Sequence, residues 1–254
     1  MADLKDPKEN LSETISKTEY LSKLLESLDE KNRLANHKLF ALIKKDELCP
    51  SNVANILRPF YFAVYNWTYV LTKFHDKLLA AGDNKSAALV KENIMDELGY
   101  ENGLQDLNKC HTTTFLNFLF SLGALQAPKS LTDIYLHNEF GRLSITRAVI
   151  EFNNALEKSL NESTLAYHAC VLGGIEHFYI RISNILSTYC TRNNINLTHY
   201  ATHEIVDQKH SMDFFQVALN QNVSRTDIDN GIAEGCHLLD KIYLDLYVEF
   251  DTAK

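Results

Sequence analysis

Apolar residues recur at intervals of three and four along nearly the whole chain, and strand-like alternation bounded by turns is scarce. That period, with few breakers, predicts helices throughout. The first helix reads through "SETISKTEYLSKLLESLDEKNRLANHKLFALIKKD", with a break near Lys31–Leu34, because roughly 35 residues exceeds a typical globular helix. "CPSNV" marks a stop and restart, with Ser51 as the N-cap. The second helix, "NVANILRPFYFAVYNWTYVLTKFHDKLLAAG", runs to Gly82, and Pro59 either kinks it or marks its true start. The third, "NKSAALVKENIMDELG", stops at Gly99, and "YENGLQD" after it reads as a loop. The fourth, "LNKCHTTTFLNFLFSLGAL", is ended by Gly123 and Pro128. The fifth spans "SLTDIYLHNEFGRLSITRAVIEFNNALEKSLN", interrupted near Gly141. "ESTLAYHACVLGGIEHFYIRISNILSTYCTRNN" is the sixth, the seventh contains "HYATHEIVDQKHSMDFF", and "SRTDIDNGIAEGCHLLDKIYLDLYVEF" is the eighth. With no linker, low-complexity segment or internal repeat, seven or eight helices make one all-α bundle over residues 11–254, preceded by a frayed N-terminus at 1–10.

Composition narrows the function classes. The chain has 254 residues, enough to bury a sizeable core, and its 45% hydrophobic and 23% charged content is that of an ordinary globular protein. A net charge of −8 disfavours nucleic acid and anionic lipid as partners. The five cysteines, Cys49, Cys110, Cys170, Cys190 and Cys236, are odd in number and form no CxxC, which reads as reduced thiols in a cytosol. "MADLKDPKEN" is too polar for a signal peptide, and no apolar run approaches the ~20 residues of a membrane helix. These features predict a cytoplasmic protein without a nucleic-acid or membrane partner. They leave a homodimer open.

The chemistry lies in the seventh helix. Each residue of a helix turns about 100°, so His203, Asp207 and His210 fall within roughly 60° of one another and can face one point. Imidazole with carboxylate suits iron, manganese or zinc, although a solvated polar stripe or a buried His–Asp pair has the same spacing. Candidate partners stand elsewhere. Glu176 sits among apolar residues of the sixth helix, a costly place unless the carboxylate is paired or ligating. His177 follows it but points about 100° away. Asp96 and Glu97 close the third helix, and His111 opens the fourth. Together these residues have the composition of a dinuclear carboxylate–histidine centre in a bundle core.

This set resembles the haem-oxygenase-like dimetal oxidases, a group similar to the Chlamydia protein associating with death domains. The resemblance rests on "NIMDELG", on "H…FLNFLFSLG" beginning at His111, on Glu176 in mid-helix and on "HEIVDQKHS", and it covers residues 35 to 220. It implies a haem-oxygenase-like (TenA/PqqC-like) bundle without haem that holds two iron ions, with manganese as the alternative, and activates O2 with an electron donor. Carried over by position, the ligands are Glu97, His111, Glu176, His203, Asp207 and His210. Glu101 is a rival to Glu97, because the interval of fourteen positions from Glu97 to His111 exceeds that in several relatives. The helix preceding Glu97 offers only His75 and Asp76 as further ligands. One branch of the group makes p-aminobenzoate from its own tyrosine with a lysine beside the site. Tyr61, Tyr65, Tyr69, Tyr179 and Tyr200 are the candidate tyrosines, but no lysine follows Glu176 on its helix. The substrate is a small organic molecule, with amino acids, amines, fatty acids and a self-derived tyrosine fragment all open.

Rival readings attach to other residues. Glu234 and His237 have the E-x-x-H spacing of ferritin-like di-iron proteins, which need two such pairs. His37 stands where haem oxygenases carry an axial ligand, a reading that leaves the carboxylates unexplained. Cys110 and Cys170 are the cysteines a TenA-like hydrolase would need. A protein that kept the fold as a partner-binding surface, with a vestigial metal site, is the other alternative.

Overall fold

The computed structural model of the chain describes residues 17–26, 37–123 and 145–252. The helices are α1 (17–26), α2 (Lys38–Lys44), α3 (Pro50–Leu57), α4 (Tyr61–Ala80), α5 (Asn84–Glu97), α6 (His111–Ser121), α7 (Arg147–Glu162), α8 (Leu165–Asn193), α9 (Thr198–Asn220) and α10 (Arg225–Thr252). The frayed 1–10, the break near Lys31–Leu34, Pro128 and the interruption near Gly141 lie outside the described residues. No described helix is long and apolar enough to cross a membrane.

Three local expectations need correction. The restart after the first helix is capped by Cys49, not Ser51, with Pro50 in the first turn of α3. Proline at that position loses no helical hydrogen bond, and its fixed φ suits the helix. The run expected as one second helix is two, because Arg58–Phe60 form a 3-10 turn between α3 and α4 around Pro59. "YENGLQD" is also more than a loop. Tyr100–Glu101 and Leu104–Gln105 pair antiparallel, with Asn102 and Gly103 at φ 52° and 78°. Two consecutive positive φ values make the Asn-Gly tip a hairpin turn of the kind whose twist matches the strands.

Helix α8 is the spine. It runs 29 residues from the N-cap Thr164, whose side chain accepts from the Tyr167 backbone N–H, and ends at Asn194 in a left-handed conformation. Its packing against α9 and α10 is the most extensive in the molecule. Glycines set the α8–α10 approach. A Cβ at Gly235 would stand 2.1 Å from the Val171 carbonyl oxygen, and one at Gly174 would stand 2.7 Å from that of Ile232. The backbones therefore touch where bulkier residues would hold them apart. The buried aromatics Phe40, Phe60, Phe115, Phe118 and Tyr243 fill the space between α2, α4, α6 and α10.

One buried titratable group carries a pH prediction. His168 on α8 shares a hydrogen bond with the Ser159 hydroxyl (3.0 Å) and meets the Phe74 ring edge-on. Burial, aided by Lys77, pushes its pKa down to about 3 from 6.5. The folded protein thus keeps His168 neutral while the unfolded chain takes up a proton below pH 6.5. Stability is full above that pH and falls as pH drops toward the depressed value. His168→Asn is expected to reduce the loss of unfolding free energy between pH 7 and pH 5 by about 2 kcal/mol relative to the parent. Urea denaturation of both proteins at the two pH values measures it, and parallel losses would refute it.

Candidate metal centre

Four helices converge on one buried point. The helical period puts His203, Asp207 and His210 on the inner face of α9, and all three are buried. Glu176 reaches the same point from the middle of α8, 3% exposed. Glu97 is the last residue of α5 and His111 the first of α6, and the hairpin between them folds the chain back so that the two meet. Gly99 makes that reversal possible: its φ is +75°, and a Cβ there would lie 2.4 Å from the Asp106 carbonyl oxygen. Glu97 is buried at 3% exposure, whereas Glu101 sits on the exposed hairpin and pairs with Lys109. The extra length between Glu97 and His111 is therefore spent on the hairpin.

The distances are short. Glu97 Oε2 lies 2.6 Å from His111 Nδ1, and His203 Nδ1 lies 2.8 Å from Asp207 Oδ1. His210 Nδ1 stands 3.8 Å from Glu97 and 3.9 Å from Glu176. The His111 and His203 rings meet edge to face with centroids 4.4 Å apart. Two sets of ligand atoms gather within 4.8 Å: Glu97, Glu176 and His210 form one, and Glu176, His203 and Asp207 form the other. Glu176 belongs to both.

Around the cluster stand groups that the sequence either named without a role, as for Asp96, or did not connect with it, as for Trp67. Trp67, the only tryptophan of the chain, donates its indole N–H to Glu176 Oε1 at 3.1 Å. Asp96 Oδ2 lies 3.3 Å from His210 Nε2, so that ring N–H donates outward and Nδ1 is left facing Glu97 and Glu176. A carboxylate behind an imidazole is how metal-binding histidines are oriented. Adjacency to Glu97 was the one available signal for Asp96; nothing in the apolar run around Trp67 pointed to the cluster. His199, one turn before His203, has a tautomer set by its neighbours. The Thr114 hydroxyl donates to the His111 carbonyl (3.0 Å), so His199 Nδ1–H donates to Thr114 (3.0 Å) and Nε2 accepts from the Tyr179 hydroxyl (3.1 Å).

Electrostatics follow from burial and pairing. Burial opposes the charge of Glu97, but His111, His203 and His210 outweigh it and hold the carboxyl below its usual range. Burial also opposes charge on His111, which Glu97 lifts above its ordinary value. His210 is likewise lifted, to about 9, against burial, by the Asp96 hydrogen bond and by Glu176, Glu97 and Asp207. Burial, then Asp207, drives Glu176 well above its usual value, and burial raises Asp207 to about 8. His203 is pushed well down by burial and by His111. The resulting pattern is two ion pairs, Glu97–His111 and Asp96–His210, beside two protonated carboxyls.

Several buried atoms of the cluster lack a hydrogen-bond partner: Glu97 Oε1, His203 Nε2, Asp207 Oδ2 and His210 Nδ1. Orphaned polar atoms in a core are costly, and four of them converging from two helices, α5 and α9, fit a metal's ligands. Beside them opens a cleft of about 50 Å3, lined by Glu97, Glu176 and His203 together with apolar residues.

The remaining candidates are placed as follows. Of the tyrosines, Tyr179 lines the cleft, with its ring 4.8 Å from that of His203. Tyr200 is buried against Phe118, Tyr61 is buried beside Tyr65, and Tyr65 and Tyr69 are exposed. His75 and Asp76 pair with each other near the end of α4. Glu234 accepts from Tyr167 and His237 is exposed, so the E-x-x-H pair does not converge on the cluster. His37 donates to the Asp240 carbonyl and packs on Phe40. Among the described residues no cysteine lines the cleft; burial raises the Cys170 and Cys190 thiols to about 12, which keeps them unreactive.

The family described as iron-containing redox enzyme matches residues 54–240. Two crystal structures of a CADD-like protein of unknown function from Nostoc punctiforme share the fold. The structure at 2.00 Å resolution has a TM-score of 0.65 at 13% identity, covering 94% of this chain and 98% of that one. The structure at 1.35 Å has a TM-score of 0.61 at 14% identity, covering 94% and 96%. No curated protein matches the chain in sequence. The all-α, haem-oxygenase-like bundle expected from the sequence is the fold observed.

Proposed function

Because the chain belongs to the iron-containing redox enzyme family, we propose that its buried cluster holds two iron ions and that the protein is a non-haem di-iron oxygenase or oxidase, using O2 and an electron donor to oxidise a small organic substrate. The observation that carries this reading is the pair of three-residue groups that meet at Glu176. Glu97, Glu176 and His210 would hold one ion, with His111 beside Glu97; Glu176, His203 and Asp207 would hold the other. Bound iron supplies the redox chemistry that no side chain of the cluster can perform.

The chain's own residues do the rest. Glu97 is already ionised, held so by His111, and offers an oxygen that nothing else engages. Asp96 fixes the His210 ring with Nδ1 inward. Trp67 holds one oxygen of Glu176, which orients that carboxyl between the two groups. Asp207 anchors the His203 ring through Nδ1 and leaves Nε2 open. Burial excludes water from all six side chains, so charges on ligands and ions interact strongly.

His203→Ala tests the reading. After anaerobic loading with Fe2+, the parent is expected to retain two ions per chain, and the variant one or none, with helicity and thermal midpoint unchanged in the metal-free state. Metal analysis after desalting measures it. Equal iron content in parent and variant would overturn the assignment of His203, and the absence of iron from the parent would overturn the proposal itself.

A further inference from the structure

The cleft beside the cluster bears on what the centre acts upon, an inference that rests on the reading above. Its far wall is Phe60, Ala63, Val64, Phe152, Ile175 and Leu239, apolar without exception. Trp67 and Tyr179, the polar groups on its boundary outside the proposed ligand set, are engaged, and the unpaired Glu97 Oε1 and His203 Nε2 are atoms that the proposed ions would take. The Trp67 N–H is taken by Glu176 and the Tyr179 hydroxyl by His199. Glu97 is held by His111, and His203 by Asp207. Among the described residues, no lining side chain outside the ligand set is free to receive an ammonium, a carboxylate or a sugar hydroxyl. A charge left unpaired in such a place costs several kcal/mol, whereas apolar surface gains about 25 cal/mol per Å2 removed from water.

We propose that the substrate presents an uncharged hydrocarbon group to this cleft, so that the atoms oxidised belong to an apolar chain or ring and not to the charged backbone of a free amino acid. Four of the walls, Phe60, Trp67, Phe152 and Tyr179, are aromatic and give the group flat surfaces to pack on. Ala63 is the small residue of the α4 wall, and its short side chain leaves part of the cleft open.

The test uses metal-free, full-length protein and three probes of one chain length: 1-hexanol, hexanoate and hexylammonium at pH 7. Trp67 fluorescence and ligand-observed NMR saturation transfer report binding. 1-Hexanol is expected to bind at least about 10-fold more tightly than either charged probe. Filling the cleft from two different helices, by Ala63→Leu on α4 and separately by Leu239→Phe on α10, is expected to weaken 1-hexanol binding by a similar factor while iron content after loading stays at the parent's value. If either charged probe binds as well as 1-hexanol, if none binds, or if both folded variants bind 1-hexanol normally, the inference is overturned. Iron loading of the same preparations separates the two claims: two ions with no 1-hexanol binding refutes only the apolar substrate, and 1-hexanol binding without iron refutes only the metal centre.

Discussion

Glu176→Gln is expected to lower iron affinity by at least about 100-fold and to abolish O2 consumption, while leaving the metal-free fold nearly untouched. The two halves of this result have one cause. Glu176 is 3% exposed and belongs to both ligand groups, so losing its charge weakens both ions at once. Without metal, burial and the neighbouring Asp207 already keep its carboxyl protonated, and a glutamine of the same shape then replaces a neutral group by a neutral group. Trp67 can donate to the amide oxygen as it does to the carboxyl, so its fluorescence serves as an internal check on the site's geometry. Anaerobic Fe2+ titration followed by Trp67 quenching measures the affinity; tight binding of two ions by the variant would sink the shared-ligand reading.

The same electrostatics set the pH dependence of loading. Burial favours the protonated form of Glu176, and at pH 7 Asp207, raised to about 8, and His210, raised to about 9, keep their protons. Each must lose its proton to ligate, so iron uptake releases protons and tightens as pH rises toward 9. Below pH 7 the ions face increasing competition.

Gly235→Ala is expected to destabilise the protein by about 3 kcal/mol, although the same exchange in an ordinary helix stabilises by about 1 kcal/mol. The added Cβ would stand 2.1 Å from the Val171 carbonyl oxygen and 3.0 Å from the Ile175 backbone nitrogen. Both are main-chain atoms of α8, which cannot swing aside as a side chain would. Relief requires α8 and α10 to separate, and α8 carries Glu176. Iron affinity is therefore expected to fall along with the denaturation midpoint. Chemical denaturation and iron loading of the variant measure the two effects, and an unchanged midpoint would show that the helices are not in backbone contact.

How much of this was legible in the sequence depends on the range over which each feature is decided. The apolar spacing of three and four specified helices, and the same period placed His203, Asp207 and His210 on one face of α9, because side-chain direction along a helix is a local matter. The cost of burying a carboxylate singled out Glu176 before any packing was known. Residues between helices were harder. Glu97 and Glu101 differ by four positions, and only the hairpin, with Gly99 at positive φ, turns one inward and leaves the other beside Lys109 in solvent. The Asn-Gly tip carried that information and could have been read as a turn.

Tertiary packing alone decided the rest. Trp67 and Asp96 gained their roles because α4 meets α8 and α5 lies against α9, pairings that no local period encodes. Glu176 became the residue shared by both groups because glycines let α8 and α10 touch while α9 covers α8. Helix identity follows from residues a few positions apart, whereas the meeting of six ligands from four helices follows from how side chains of different size allow those helices to approach. Such distances are set only when the whole core is packed.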